Sequence, residues 1–333
     1  MSKKVTIYDI AEKLKVSPST VSRALAGNSL ISAETKTKVM AAAVGMGYTD
    51  IRAVSNAHTI AVIVPEIDNF FYSKVLSTIQ YTIKNKYLFS IFCSFNSSRI
   101  EREIVSKLNP DQIKCLIISQ SMDTEDSSHL SDVEKKGIPV ILFNRVNYNY
   151  ASPKFLIDNY MDSFMLTNHL VSSGYRRIAF AAKHYNCPIY KERVQAYKDV
   201  LNKNNIAFNP DYLIYSEHTL EDTYEVITRF IHMRPRPDAL ILPNFVSALQ
   251  ATSIAKIYNI SIPGEMAVVS FDEDPESKYS TPTITGIGRP CTEIGIEIGK
   301  FALSVCDNQP YDRNAIKIFP SNLIIRGSSL SHP

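Results

Sequence analysis

The chain has 333 residues, of which 45% are hydrophobic and 21% charged, and its formal net charge is +3. No run approaches the ~20 apolar residues that a membrane-spanning helix needs, and no apolar signal core follows the lysines near the N-terminus. We therefore expect a globular cytoplasmic protein with two or three domains, and the membrane and exported classes are excluded.

The cysteine and histidine patterns argue against cross-links and metal. The five cysteines are scattered, odd in number and form no C-x-x-C pair, which predicts reduced thiols rather than disulfides or a zinc site. The seven histidines fall at no metal-ligand spacing. We predict neither a metal site nor a cofactor.

The positive charge is concentrated at the N-terminus. Residues 1–58 carry eight basic and four acidic side chains, whereas the remainder carries 28 basic and 29 acidic ones. A basic module on a near-neutral body is typical of a head that binds a polyanion.

Three short helices are predicted between residues 6 and 46. Thr6 and Asp9 form a capping-box pattern for the first helix. Ser17 and Pro18 supply an N-cap and a first-position proline for the second, and Ser32 caps the third. Two helices joined by a tight turn and braced by a third make a helix-turn-helix. The alternative, a three-helix bundle for protein contact, is disfavoured because the outward face is polar and basic.

The second helix would enter the major groove of DNA by its N-terminal residues. Pro18 and Ser19 are short enough to allow close approach, and Arg23 is long enough to reach a base edge or a phosphate. Thr20 and Ser22 are natural phosphate donors.

Four runs carry a family resemblance without a gap over roughly 45 residues: Val5–Ala11, Val16–Leu25, Ile31–Thr35 and Met46–Tyr48. This part of the chain resembles the headpiece of the lactose-repressor (LacI/GalR) family. The resemblance implies that Pro18, Ser19 and Arg23 read bases. It implies phosphate contacts from Thr6, Ser17, Thr20, Ser22 and Asn28.

A short hinge, residues 49–58, is the clearest departure from that family. Ile60 follows Tyr48 by only 12 residues, and the expected Pro-Asn start and Ala-Arg-x-Leu core of a hinge helix are missing. Ile51 and Val54 are the candidates for an apolar wedge in the minor groove. The alternative is a short non-helical linker.

From residue 59 the chain alternates apolar runs with amphipathic helices. Strands are predicted at 60–64, 88–95, 115–119, 140–143, 178–182, 239–242 and 267–271. Helices are predicted at 72–84, 99–108, around 131–136, 163–173, 190–203, 245–258 and 293–305. Repeated βα units imply parallel sheets with right-handed crossovers. So many units imply two doubly wound lobes, with the ligand site in the cleft between them.

The body also resembles the same family, whose regulatory part looks like periplasmic sugar-binding proteins. Matching segments include Ile60–Pro65, Asp68–Phe71, Leu156–Asn159 and Val269–Asp272. The resemblance implies an all-α helix-turn-helix headpiece (1–48), the hinge, and a two-lobed α/β, periplasmic-binding-protein-like (type I) domain (59–333). The first lobe would hold about 59–160 and 291–320, and the second about 161–290 and 321–330.

The resemblance also implies effector-binding residues. Arg193 and Asp272 match an arginine and an aspartate that grip the effector, and their donor and acceptor chemistry suits hydroxyl groups. Phe71 and Tyr72 match an aromatic pair on the first-lobe wall. Further candidates are Asn144, Arg145, Asp158, Asn244 and Phe245. The resemblance implies a sugar or a related metabolite as the effector. Phe245 stands where sugar-binding relatives usually carry Asp and removes a hydroxyl acceptor, which argues against a simple sugar.

Together these features predict a sequence-specific transcription regulator, a repressor acting as a homodimer on near-palindromic double-stranded DNA. A small-molecule effector between the lobes would modulate its affinity for the operator. One alternative is control by a protein corepressor, because some relatives respond to a phosphorylated carrier protein. A solute-binding protein should have a signal sequence and no helix-turn-helix. No G-x-S-x-G, H-E-x-x-H or P-loop motif supports an enzyme.

Overall fold

A computed structural model describes residues 5–25, 28, 30–46, 48, 58–84, 86–183, 187–217 and 219–330. The chain divides into two compact units, one of residues 1–59 with 109–114 and the other of residues 60–108 with 115–333. The candidate wedge residues Ile51 and Val54 lie outside the described residues, so the hinge prediction stays a prediction.

The three predicted headpiece helices are confirmed as α1 (Ile7–Leu14), α2 (Pro18–Leu25) and α3 (Ala33–Gly45). The capping box is formed, because the backbone N–H of Thr6 donates to the Asp9 carboxylate at 2.6 Å and the Asp9 N–H donates to the Thr6 hydroxyl at 3.4 Å. Lys15, whose φ is 53°, directly follows α1 as its C-cap residue. A left-handed residue there stops the helix and lets α2 begin in a new direction.

A small apolar core holds these three helices together. Ile10, Val21 and Val39 have no exposed surface, and four alanines complete the centre: Ala11, Ala24, Ala42 and Ala43. Burying each branched side chain stabilises the unit by about 1.5–3 kcal/mol. Because the apolar side of α2 is used in this way, its opposite side is left to solvent.

Two six-stranded sheets follow the headpiece. The strands of the first are β1 (Thr59–Val64), β2 (Leu88–Cys93), β3 (Ile113–Ile118), β4 (Val140–Phe143), β5 (Lys154–Ile157) and β11 (Ile316–Phe319), in the order β11-β5-β4-β3-β1-β2. The strands of the second are β6 (Ile178–Ala182), β7 (Leu213–Tyr215), β8 (Ala239–Leu242), β9 (Ala267–Ser270), β10 (Thr285–Gly288) and β12 (Asn322–Ile324), in the order β12-β10-β9-β8-β6-β7. The pairings β3–β4, β4–β5, β5–β11, β6–β7, β6–β8, β8–β9 and β9–β10 are parallel, and β10–β12 is antiparallel.

Helices flank both sheets. Those of the first sheet are α4 (Phe70–Ile83), α5 (Ser98–Ser106), α6 (Ser128–Lys135) and α11 (Cys291–Cys306). Those of the second are α7 (Asn159–Ser172), α8 (Pro188–Lys203), α9 (Leu220–His232) and α10 (Phe245–Ile257). We call the first sheet with its helices the first lobe and the second set the second lobe. Central strands such as β1 and β4 are buried along their whole length, as expected for parallel sheets covered on both faces.

The predicted α/β class with mostly parallel sheets is confirmed, but several short elements were missed. Strands β5, β7, β10, β11 and β12 have only three or four residues each. Helix α9 was also missed, although Thr219 and Asp222 form a capping box at its start. Strand β2 ends earlier than predicted, because Phe95 and Asn96 adopt φ values of 52° and 58°.

One helix pair in the first lobe packs very closely. Gly295 and Gly299 on α11 face Thr78 and Thr82 on α4, and a Cβ atom at either glycine would lie 2.6–2.7 Å from the threonine Cβ. Only glycine allows this approach of the two backbones. The contact joins a late segment of the chain to an early one.

Candidate functional sites in the headpiece and the body

The outward face of α2 is polar and open. Ser19, Ser22 and Arg23 are exposed, whereas Pro18 and Thr20 are half-buried. No ion-pair partner of Arg23 is found in the described part of the chain. An unpaired guanidinium beside small side chains can reach a base edge or a phosphate without breaking an existing contact.

Hydroxyl groups gather at the start of α2. The Ser17 hydroxyl lies 2.8 Å from those of both Ser19 and Thr20, and it accepts the backbone N–H of Thr20 at 3.1 Å. Two other residues predicted to contact phosphate, Thr6 and Asn28, already form local hydrogen bonds. The Thr6 hydroxyl donates to Asp9 at 2.6 Å, and the Asn28 side-chain oxygen accepts from Leu30 at 2.9 Å. A phosphate contact from Asn28 would use its side-chain N–H groups and would leave this bond intact. A phosphate contact from the Thr6 hydroxyl would require it to break its hydrogen bond to Asp9.

A small cavity of about 40 Å³ lies where the two lobes face each other. Its lining comes largely from the segments that follow the carboxyl ends of strands β1, β4, β6, β8, β9 and β10, which is where open α/β sheets bind ligands. The lining residues are Glu66, Asn69, Phe71, Tyr72, Asn144, Arg145, Lys183, Ile189, Tyr190, Arg193, Pro243, Asn244, Asp272 and Arg289. We call this the inner cavity.

Two arginines of the inner cavity are held by carboxylates. The Arg145 guanidinium lies 3.3 Å from the Glu66 carboxylate, and the Arg289 guanidinium lies 2.9 Å from the Asp272 carboxylate. Arg145 and Asp272 are less than one-tenth exposed. Pairing removes much of the cost of burying these charges.

Arg193 is bound differently. Its guanidinium lies 3.9 Å from the centre of the Phe271 ring and donates one hydrogen bond to Asn159 at 3.2 Å. Its Nε is buried with no hydrogen-bond partner among the described residues. Burial, together with the neighbouring charge of Arg289, lowers the pKa of Arg193 to about 10. Burial also lowers the pKa of Lys183.

The first-lobe wall is aromatic and tied down. Phe71 and Tyr72 meet edge to face with ring centres 5.3 Å apart. The Tyr72 hydroxyl lies 2.9 Å from the Ser119 hydroxyl and accepts a hydrogen bond from Asn144 at 2.8 Å. Asn144 has a φ of 56°, a conformation that asparagine tolerates better than most residues. These bonds fix the wall against which a ligand would lie.

A larger outer cavity of about 660 Å³ adjoins the inner one and shares Asn144, Arg145 and Ile189 with it. Its other described lining residues are Gln120, Ser121, Met122, Asp123, Thr124, Glu125, Val146, Asn147, Tyr148, Asn149, Cys187, Pro188 and Lys191. Its size is within the range of about 300–1,000 Å³ that is usual for ligand pockets.

Family models match both parts of the chain. The model described as "Bacterial regulatory proteins, lacI family" matches residues 6–50, and the model described as "Periplasmic binding protein-like domain" matches residues 167–329. The chain belongs to the LacI family of bacterial regulatory proteins. It is therefore a DNA-binding transcription regulator.

Similar proteins cover nearly the whole chain. The HTH-type transcriptional repressor CytR of Escherichia coli (strain K12) is 28% identical over 334 residues, covering 98% of this chain and 97% of the relative. Catabolite control protein A of Priestia megaterium is 24% identical and covers 98% and 99%. These relatives are transcription regulators, not enzymes.

Solved structures share the fold of this LacI-family chain. A lac repressor dimer bound to operator and the anti-inducer ONPF has a TM-score of 0.81 at 20% identity and covers 98% of this chain and all of its own. A LacI-family regulator from Silicibacter pomeroyi has a TM-score of 0.82 at 20% identity, with the same coverage. At this level of identity the likeness shows the fold.

Most of the effector residues predicted from the LacI resemblance come together. Seven of the nine line the inner cavity: Phe71, Tyr72, Asn144, Arg145, Arg193, Asn244 and Asp272. The other two have local structural contacts. Asp158 caps α7 by accepting the N–H of Met161 at 2.8 Å, and Phe245 packs in the second-lobe core.

Sequence reasoning missed several charged lining residues. Glu66, Lys183 and Arg289 each follow the end of a strand, and polar residues at the carboxyl ends of parallel strands are the signal that would have found them. Among the described residues, no cluster of His, Cys, Asp and Glu side chains is arranged to hold a metal ion. Within the same residues, no helix is long and apolar enough to span a bilayer.

Proposed function

We propose that this regulator is a homodimeric repressor that reads a near-palindromic operator through α2. An effector bound in the inner and outer cavities would control its affinity for the operator. Arg193 carries this proposal: it is buried at 4% exposure, stacked on Phe271, and has an unpartnered Nε at a cavity between two lobes. A buried charge without an ion-pair partner among the described residues is typical of a ligand site.

The coupling mechanism follows from the placement of this cavity. A ligand that contacts both lobes binds the closed cleft more strongly than the open one, and it therefore shifts the population toward the closed form. The change in operator affinity is limited by that difference in binding free energy. In a dimer the movement of the lobes changes the spacing of two headpieces, which must match two half-sites.

DNA selection tests the first half of the proposal. Purified full-length protein would be used to enrich a randomised duplex pool, in parallel with Arg23→Ala and a control, Lys38→Ala. Lys38 is an exposed cation on α3 that pairs with Glu34, so the control removes the same charge from another helix. We expect a two-fold symmetric motif for the wild type and the control.

We expect Arg23→Ala to lose about 1–3 kcal/mol of discrimination at one position of each half-site, which is a loss of roughly 5- to 150-fold. If Arg23→Ala and Lys38→Ala weaken the binding of every DNA sequence to the same extent, Arg23 contacts only phosphate. If no symmetric motif is enriched with any protein, the proposed operator reading is wrong.

A further inference from the structure

The inner cavity has more positive than negative charge. Among the described lining residues, four are cationic, Arg145, Lys183, Arg193 and Arg289, and two are carboxylates, Glu66 and Asp272. Those two carboxylates pair with Arg145 and Arg289. Lys183 and Arg193 therefore remain without a carboxylate partner within ion-pair distance in the described part of the chain.

The other carboxylates nearby form no ion pair with Lys183 or Arg193 among the described residues. Glu192 accepts a hydrogen bond from Tyr148 at 2.8 Å, and Glu273 pairs with Arg326. Asp162 is the remaining buried carboxylate near the arginines, and it forms no ion pair within 4 Å with a described residue. Burial makes a positive charge without an ion-pair partner expensive.

The size of the inner cavity limits what can enter it. A volume of about 40 Å³ admits one small group of a few heavy atoms, because a single water molecule needs about 10–15 Å³ of such volume. The outer cavity of about 660 Å³ has room for the body of a metabolite. The shared walls at Asn144, Arg145 and Ile189 allow one molecule to occupy both.

We propose that the effector is an anionic metabolite with a phosphate or carboxylate group. Arg193 and Lys183 hold that group in the inner cavity, and the rest of the molecule lies in the outer cavity. A guanidinium and an ammonium without carboxylate partners supply donors to two or more anionic oxygens. This inference rests on the proposed effector function and specifies its ligand class.

Small anions test the inner cavity directly. Thermal unfolding of the full-length protein would be followed by calorimetry in sodium phosphate, sodium acetate or sodium chloride at equal ionic strength and pH. We expect a saturable rise of the midpoint by roughly 2–5 °C in phosphate or acetate over chloride, as for a ligand well above its dissociation constant. A phosphate-only response identifies a phosphate group, and an acetate-only response identifies a carboxylate.

Variants show whether the anion binds in this cavity. Arg193→Met and Lys183→Met should each remove at least four-fifths of the shift, whereas Lys256→Met, an exposed cation on α10, should keep it. Binding of glucose 6-phosphate and glucuronate, compared with glucose by calorimetric titration, extends the test to the outer cavity. We expect at least one anion to bind ten-fold more tightly than glucose.

Three results would overturn the inference. The first is that no anion raises the midpoint, and the second is that Arg193→Met and Lys183→Met respond like the wild type. The third is equal binding of glucose and the anionic sugars. Operator selection with the same preparation separates the two proposals. An Arg23-dependent motif without anion binding refutes only the ligand class. Arg193-dependent anion binding without any motif refutes the operator reading.

Discussion

Replacing Arg193 with methionine should stabilise the ligand-free protein. A pKa lowered from 12.5 to about 10 means that burial makes the charged form about 3 kcal/mol less favourable than in water. Methionine removes that charge and keeps most of the apolar volume. The substitution also loses the hydrogen bond to Asn159 and the stacking on Phe271, which together offset about 1–3 kcal/mol.

The expected net gain is therefore about 1–2 kcal/mol, once the added apolar burial of the methionine is included. Arg145→Met is the matched comparison, because it deletes the same group from an ion pair. It leaves Glu66 half-buried without its partner and should cost about 1–3 kcal/mol. The same substitution is thus predicted to raise the free energy of unfolding at Arg193 and to lower it at Arg145.

Urea unfolding monitored by far-ultraviolet circular dichroism, at pH 7.5 in chloride buffer, measures both free energies of unfolding. Similar slopes against urea would show that the unfolded states are comparable. If Arg193→Met destabilises the protein as much as Arg145→Met does, Arg193 is already satisfied without a ligand. The unpartnered Nε would then not mark Arg193 as a ligand-binding residue.

Two further predictions concern the body. Burial raises the pKa of Asp162 to about 6 from 3.8, so the folded state holds its proton more tightly and stability is lost as pH rises from about 4 to 7. Asp162→Asn should reduce the loss between pH 5 and 7.5 by about 1–1.5 kcal/mol, and urea unfolding at those two pH values that gives identical losses in both proteins would contradict it. Gly295→Ala should cost about 1–3 kcal/mol, because its new methyl group would lie 2.6 Å from Thr78. Gly45→Ala, where the methyl meets no atom of a described residue within 4 Å, should not be destabilising; an equal loss in thermal unfolding of both variants would show that helix packing is not the cause.

Periodicity predicted the central elements well because these are strongly patterned. The strands 140–143, 178–182 and 239–242 have the predicted bounds. An unbroken apolar run of four or five residues between helices is typical of a strand that is buried on both faces of a parallel sheet. Short edge strands carry too little pattern. In β11, Ile316 and Ile318 are exposed, so its residues do not report a buried face.

The candidate site was also predicted only in part. The family resemblance brought together Arg193, Asp272 and the aromatic pair without any geometry. It could not reveal that Phe245 turns into the second-lobe core, because a helix-start residue can point to either side. Nor could it reveal the ion pairs of Glu66 and Arg289, which depend on how the loops after distant strands meet.

The two sheets are interleaved along the chain, and this affects how the body can be made. Strand β11 and helix α11 belong to the first lobe, but they follow strands β6 to β10 of the second. During synthesis the first sheet therefore lacks an edge strand, and α4 lacks its helical neighbour, until residue 319 has been added. Neither lobe is a contiguous segment that can be cut out as a fragment. Contacts this distant in sequence favour slow folding, with apolar surface of α4 open to other chains until the C-terminal segment arrives.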